Sequence, residues 1–276
     1  YPPPPGVTAV LGLECAGEVA HVPHGTATDL REGDRVMCLL AGGGYAQLAA
    51  VPVGQVMRVP ASLTVAEAAA VPEAFITAWL VLGRLGGARP GDVALVHSIA
   101  SGVGTAAAQV CAAMGIRCIG TSRDPIRAEA GAPWGAEGIA VPDGHFAEAV
   151  LALTDGRGAD VIADLVGAKY LDENVRALAP NGRIVLTGLV GGRRGELDLG
   201  ALLARQGRII GSTVRGRSVG EKADIVNAFG EWALPRLAHR ALQPVVHATM
   251  PLADAAAAHE LVASGAVTGK VVLEVP

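Results

Sequence analysis

The sequence predicts an α/β protein, a doubly wound parallel sheet accompanied by a β-rich region. Three observations carry that expectation. From residue 93 to about residue 214, short apolar runs alternate with helical segments, the pattern of successive βαβ units. Residues 1–60 read differently, as apolar stretches cut by Gly, Pro and Asp clusters. Of the 276 residues, 51% are hydrophobic and 17% charged, enough apolar mass for a sizeable core; with 3% aromatics that core is built of Ala, Val and Leu.

In chain order, strands are expected at 16–22, 35–40 and 45–51, with turns at Gly33-Asp34-Arg35 and Gly42-Gly43-Gly44. Residues 66–71 and 75–85 have helical composition, with Pro72 between them. A buried strand at 93–96 runs into a small-residue loop, a helix at 105–114 and a second strand at 117–120. A long helical stretch runs from 221 to about 241, and residues 270–275 form a last strand.

Composition excludes several function classes. The formal net charge is −4 with no run of Lys or Arg, which argues against nucleic acid as the main partner. Nor does it give an electrostatic reason to bind an anionic membrane. No apolar stretch reaches about 18 residues, so no transmembrane helix is expected. Cys15, Cys38, Cys111 and Cys118 include no C-x-x-C spacing and read as reduced thiols of a cytoplasmic protein. The seven histidines offer no i,i+4 pair, so no metal site is expected.

The segment Val96-His-Ser-Ile-Ala-Ser-Gly-Val-Gly104 carries the most chemistry. Small residues let a backbone approach a pyrophosphate closely, and the free amides and dipole of a helix start favour its charge. Gly102 and Gly104 are expected to supply the turn and the close approach, with Ala107 and Ala108 keeping the helix tight on the sheet. An ordinary tight βα turn is the alternative, but the following strand stands at the distance a βαβ unit needs. That strand ends in Ser122 and Arg123, with Arg127 one turn on, where NAD-preferring sites usually hold an acid. A hydroxyl and two guanidiniums suit a 2′-phosphate, so the expected cofactor is NADPH. Asp124 is left either to pair with Arg127 or to cap the next helix. His97, at a strand end, reads as structural.

Taken together, Leu11-Gly-Leu-Glu-Cys-Ala-Gly17, Gly33-Asp-Arg-Val36, Ala41-Gly-Gly-Gly-Tyr-Ala46, Pro72-Glu-Ala-Phe-Ile-Thr-Ala-Trp79, the phosphate-loop segment and Gly269-Lys-Val-Val-Leu-Glu-Val275 resemble the medium-chain dehydrogenase/reductases, in their zinc-independent quinone oxidoreductase branch. The resemblance covers essentially the whole chain. It implies a GroES-like β-rich catalytic domain from 1–72 and 244–276, a Rossmann domain from 73–243, an active-site cleft at their interface, and a homodimer. It implies that Tyr1 lies near the nicotinamide and substrate, and Thr77 near the nicotinamide end of the cofactor. Ser101, Gly102, Val103, Gly104 and Thr105 would hold the pyrophosphate, and the 188–192 loop, with Gly188, Leu189 and Val190, would pass the nicotinamide ring. It also implies about fifty further residues before Tyr1, so that the catalytic domain is expected to be incomplete here.

Two departures qualify the resemblance. Zinc-dependent relatives carry Gly-His-Glu where this chain has Gly12-Leu13-Glu14, and Leu13 is no metal ligand. A Tyr that often follows the third strand and touches the adenosine phosphate is replaced by Val141. The expected function is zinc-independent reduction of a quinone or α,β-unsaturated carbonyl by NADPH, with Tyr1 as hydrogen-bond donor or acid. An enoyl reductase of a biosynthetic assembly line and a non-catalytic NADPH-binding protein are the alternatives. A small-molecule substrate is expected.

Overall fold

The computed structural model describes residues 4–276, so Tyr1 lies outside the described residues. The chain divides into two compact units. One is Thr77–Ser212; the other takes the chain up to Ile76 together with Thr213–Pro276.

The Thr77–Ser212 unit is built on six parallel strands: β4 (Val93–Val96), β5 (Arg117–Ser122), β6 (Glu137–Ala140), β7 (Ala159–Asp164), β8 (Leu178–Leu186) and β9 (Arg208–Gly211). Their order is β6-β5-β4-β7-β8-β9, the doubly wound Rossmann order that the alternating pattern predicts. The central strands are buried along their whole length, which is why Val-Ala-Leu-Val reads as a continuous apolar run rather than an alternating one. Leu95, Ile119, Phe146, Ile162 and Ile184 fill one layer between sheet and helices. Two acids at the ends of β7, Asp160 and Asp164, are buried with them. Asp160 is held by the Arg157 guanidinium at 2.7 Å and 2.5 Å and accepts the Val93 amide at 2.9 Å. The helix after β4 begins at Gly102, three residues before the expected start, because Ser101 caps the Gly104 amide at 3.0 Å. It ends at Gly115, whose φ of 69° only glycine adopts freely.

The other unit carries a three-stranded antiparallel sheet of β1 (Glu14–Glu18), β2 (Arg35–Leu39) and β3 (Val56–Arg58), and a parallel pair of β10 (Val246–Pro251) and β11 (Lys270–Glu274). The strand expected at 45–51 does not form. Residues 42–45 run beside 10–12 as a loop, with Gly43, Gly44 and Tyr45 donating their amides to Val10, Gly12 and Leu11. The two backbones are so close that a Cβ on Gly12 would lie 2.6 Å from the Gly44 Cα. Two glycine backbones in contact leave no room for a pleated partner, so β3 forms further on instead.

The helix Val219–Ala238 opens with a capping box of Ser218 and Glu221 and buries Ile225, Val226, Phe229, Ala233 and Leu237. It packs against β3 and the turn before it, where a Cβ on Gly54 would lie 2.5 Å from the Ala223 Cβ. The contacts group residues from Thr213 onward with the first segment. Helical periodicity reports that this segment has an apolar face, but not which sheet receives it. Among the described residues no helix is long and apolar enough to cross a membrane.

The two ends of this unit are joined by an ion pair between Lys270 of β11 and Glu14 of β1. Burial alone would lower the Lys270 pKa, but the Glu14 carboxylate outweighs it and raises the ammonium above its usual value. Lys270→Met, which leaves Glu14 shielded and unpaired, is expected to cost about 3 kcal/mol in urea unfolding. Adding Glu14→Leu should recover much of that loss.

Candidate functional site

The strand order reverses at β4, between β5 and β7, and the crevice outside the carboxyl ends of such strands is where this architecture takes ligands. The loop leaving β4 is tightly made. Ser98 sits in the left-handed region at φ 54°, unusual for a residue with a side chain. The Ser101 amide returns to the Ser98 carbonyl at 2.8 Å, and the Ile99 amide reaches Thr121 of β5 at 3.0 Å. A Cβ on Gly104 would run into the Ser98 carbonyl and lie 2.5 Å from that of Ile99. Gly104 therefore serves the approach of the helix to its own loop. Thr105 is buried, and its hydroxyl back-bonds to the carbonyls of Ser101 and Gly102. Ser101, Gly102 and Val103 are half-buried, and the first-turn amides of Gly102 and Val103 have no partner within the helix. This turn has the small residues and donor set that a pyrophosphate requires.

Beside it, β5 ends at Ser122. Asp124 caps the short helix Pro125–Ala128, accepting the Arg127 amide at 3.1 Å, so of the two roles open to it the backbone takes the cap. Arg123 is exposed and Arg127 half-buried on this strand–turn–helix. Val141 is fully buried in the core and donates its amide to the Ser122 carbonyl at 2.8 Å. It ties β6 to the end of β5.

The 188–192 loop leaves β8 along the loop that leaves β7. Gly191 donates to the Val166 carbonyl at 2.7 Å, and Ala168 to that of Gly192 at 3.1 Å. A Cβ on Gly188 would collide with the Leu165 carbonyl. Leu189 is 38% exposed and Val190 86% exposed, large apolar side chains left at a loop tip. The sheet thus brings Ser101, Gly102, Val103, Ser122, Arg123, Gly188, Leu189 and Val190 to one edge, because β5, β4, β7 and β8 are parallel neighbours. Thr77 is buried, the first residue of this unit, on the helix Pro72–Trp79.

The unit built from the chain ends holds a polar cluster that sequence reading did not single out. Glu14 accepts the Glu73 amide at 2.9 Å besides pairing with Lys270. Burial, with the Glu14 charge adding to it, pushes the Glu73 carboxyl up to about 7. Lys222 is buried, and that burial lowers its pKa, partly opposed by Glu73. Arg215 donates to the Ala41 carbonyl at 2.9 Å, and Tyr45 shares a hydrogen bond with His259 at 3.0 Å. Both acids stand in motifs legible in the sequence, Gly12-Leu13-Glu14 and Pro72-Glu73-Ala74. Their meeting across 59 residues is not. An open groove of about 670 Å3 in the same unit, lined by Leu30, Met57, Arg58, Asn227, Glu231 and Leu234, includes none of the expected site residues.

Comparison with known proteins agrees with this geometry. Residues 1–61 match the alcohol dehydrogenase GroES-like domain, and residues 102–229 match the zinc-binding dehydrogenase family. A quinone oxidoreductase of Pseudomonas aeruginosa is 30% identical over 273 residues, covering 98% of this chain and 83% of the relative. The chain belongs to the zinc-independent quinone oxidoreductase branch of the medium-chain dehydrogenase/reductases. Its β-rich unit is the GroES-like part of that family and its six-stranded unit the Rossmann part. The solved quinone oxidoreductase of Pseudomonas syringae superposes with a TM-score of 0.86, with 28% identity over 99% of this chain and 84% of that one. Mycobacterial Rv1454c complexed with NADPH gives a TM-score of 0.84 and 29% identity over 95% of this chain and 81% of that one. The phenolphthiocerol synthesis polyketide synthase Pks15/1 of Mycobacterium bovis is 37% identical over 191 residues, 67% of this chain and 9% of the synthase. The chain spans 3% to 12% of the length of the polyketide synthases it matches.

The zinc of the family's metal-dependent members does not fit this member's donor set. Leu13 offers no ligand atom, and among the described residues no three His, Cys, Asp or Glu side chains gather as a metal site would need. Glu73 instead gives the fold a pH dependence. Its folded pKa of about 7 lies above the usual 4.5, so between those values the folded state holds a proton that the unfolded state has released. The stability it contributes is full below about 4.5 and lost as pH rises through about 7. Glu73→Gln should abolish that slope. Thermal or urea unfolding between pH 4.5 and 8 is expected to show the native chain losing up to about 3 kcal/mol relative to the variant.

Proposed function

We propose that this chain is a zinc-independent reductase that uses NADPH to transfer hydride to a quinone or an α,β-unsaturated carbonyl. The observation that carries the reading is the Ser101–Gly102–Val103 turn at the carboxyl end of β4, where the strand order reverses, flanked by the loops after β5 and β8. The first-turn amides and helix dipole take the pyrophosphate. Gly104 and Thr105 keep the turn in place from behind. Ser122, Arg123 and Arg127 take the 2′-phosphate, whose oxygens accept charge-assisted bonds from guanidiniums. Gly188, Leu189 and Val190 line the nicotinamide end with backbone groups, and Thr77 serves the same end. Bound there, the cofactor supplies the hydride. The protein orients donor and acceptor and excludes water, while Tyr1 donates a hydrogen bond to the oxyanion that develops. A homodimer joined through β9 fits that strand's place at the sheet edge, and the four free thiols fit a cytoplasmic location.

A second reading has its own support. The match to a stretch of much longer polyketide synthases, together with likeness to the solved CurK enoyl reductase (TM-score 0.82, 25% identity), favours an enoyl reductase domain acting on a carrier-bound thioester. Turnover of quinones and free enones against turnover of enoyl thioesters separates the two.

NADPH and NADH are titrated into the purified chain, and 1,2- and 1,4-quinones, small enones and an enoyl thioester are then added while nicotinamide absorbance is followed. Acceptor-dependent oxidation of NADPH is expected; tight NADPH binding with no turnover on any acceptor would establish the non-catalytic alternative. Arg123→Ala combined with Arg127→Ala is expected to weaken NADPH about tenfold or more and leave NADH unchanged.

A further inference from the structure

Asp164, at the carboxyl end of β7, is fully buried and accepts hydrogen bonds from five donors. Its Oδ1 accepts the amides of Val166 at 2.7 Å and Gly167 at 2.8 Å, which shapes the loop after β7. Its main-chain carbonyl accepts the amides of Thr187 at 2.8 Å and Gly188 at 3.2 Å, which starts the loop after β8. One residue therefore holds both loops, by different atoms. The loops are then stapled to each other through Val166, Ala168, Gly191 and Gly192.

The fifth bond leads away from the loops into the core. Asn174 Nδ2 donates to Asp164 Oδ2 at 3.0 Å. The amide oxygen of Asn174 is then the atom facing His97 Nε2 at 2.7 Å, so the ring carries its proton on Nε2. Nδ1 is left as an acceptor and takes the Thr121 hydroxyl at 2.8 Å. Burial lowers the His97 pKa, with Asp164 opposing it, and keeps the ring neutral. The rings of Phe146 and Tyr170 pack on it with centroids at 4.7 Å and 4.8 Å. Every donor in this chain of bonds points the same way, from Thr121 on β5 through His97 and Asn174 to the Asp164 carboxylate. His97 follows β4 directly and donates its own amide to Ala163 at 3.2 Å.

We propose that Asn174 and Asp164 are positioning residues, with His97 and Thr121 as their anchor, that set the 188–192 loop and through it the placement of the nicotinamide ring. The inference rests on the reading of that loop as the nicotinamide neighbour. If the carboxylate turns, the peptide that follows it turns with it, and the amides of Thr187 and Gly188 lose their acceptor. The pyrophosphate turn and the 2′-phosphate residues are held by other bonds, so the effect should fall on one end of the cofactor only.

The test compares Asn174→Leu with the native chain, using NADPH and adenosine 2′,5′-bisphosphate, which lacks the nicotinamide. Three quantities are read: affinity for each ligand, the fluorescence emission of bound NADPH, and kcat against KM with the best acceptor. The expected result is unchanged affinity for the bisphosphate, NADPH emission shifted toward that of the free cofactor, and kcat down about tenfold or more per folded molecule. Thr121→Val removes only the terminal hydroxyl at nearly constant volume; it serves if Asn174→Leu does not fold, and should show the same pattern more weakly. Native emission and native kcat in whichever of the two folds would overturn the inference. A native chain that binds the bisphosphate but gives NADPH no change in emission would also overturn it. Failure of the native chain to bind either ligand would instead remove the NADPH reading and this inference with it.

Discussion

The crevice of the six-stranded unit depends on the seating of Ile99. This side chain, fully buried, follows β4 by three residues and sits where three glycines leave it room. A Cβ on Gly120 of β5 would lie 2.5 Å from the Ile99 side chain, one on Gly131 would lie 3.1 Å from it, and one on Gly104 would lie 2.5 Å from its carbonyl. A bulky apolar side chain in a glycine socket fixes the loop in three directions at once. With the loop fixed, Ser98 can be held at a positive φ, Ser101 can cap the helix, and the first-turn amides are turned outward. Local strain of this kind survives only where surrounding packing over-determines it.

Glu73 differs from the acids buried in the Rossmann unit. In the Rossmann unit the buried acids are satisfied by short, specific bonds. Asp160 has Arg157 and the Val93 amide; Glu173 accepts the amides of Phe146 at 2.7 Å and Ala147 at 2.8 Å and pairs with Arg176 at 2.6 Å. Burial would raise Glu173, but those bonds prevail and hold it below the usual carboxylate range. Acids bonded in this way organise the backbone around them. In the GroES-like unit Glu73 is shielded beside a second carboxylate and is pushed the other way. A carboxyl that titrates near neutrality is a different chemical object, even though both sit in apolar surroundings.

Much of this was legible in the residue order. The βαβ alternation, the small-residue turn after β4 and the terminal strand all rest on short-range signals: period, small residues at a strand–helix junction, and turn chemistry. The Ser122-Arg123-Asp124 turn was legible up to the choice between two roles for Asp124, which backbone geometry then decided. Reading failed where the deciding partner was remote. Residues 45–51 have strand composition, yet the glycine contact with residues 10–12 claims the neighbouring backbone. His97 reads as structural and is buried and hydrogen-bonded in the core, but its partners Asn174 and Asp164, 77 and 67 residues on, carry no local mark.

The sequence by itself determined the parallel sheet, the small-residue turn after β4 and the family, because each is written in residues close together along the chain. Only the tertiary structure decided that the helix Val219–Ala238 belongs with β3, that Glu14, Glu73 and Lys270 form one cluster, and that Asp164 governs two loops at once. The physical reason is common to all three. A buried charge or an apolar helix face must find a partner, but the free energy of that pairing depends on distance in space, and the chain order does not contain it.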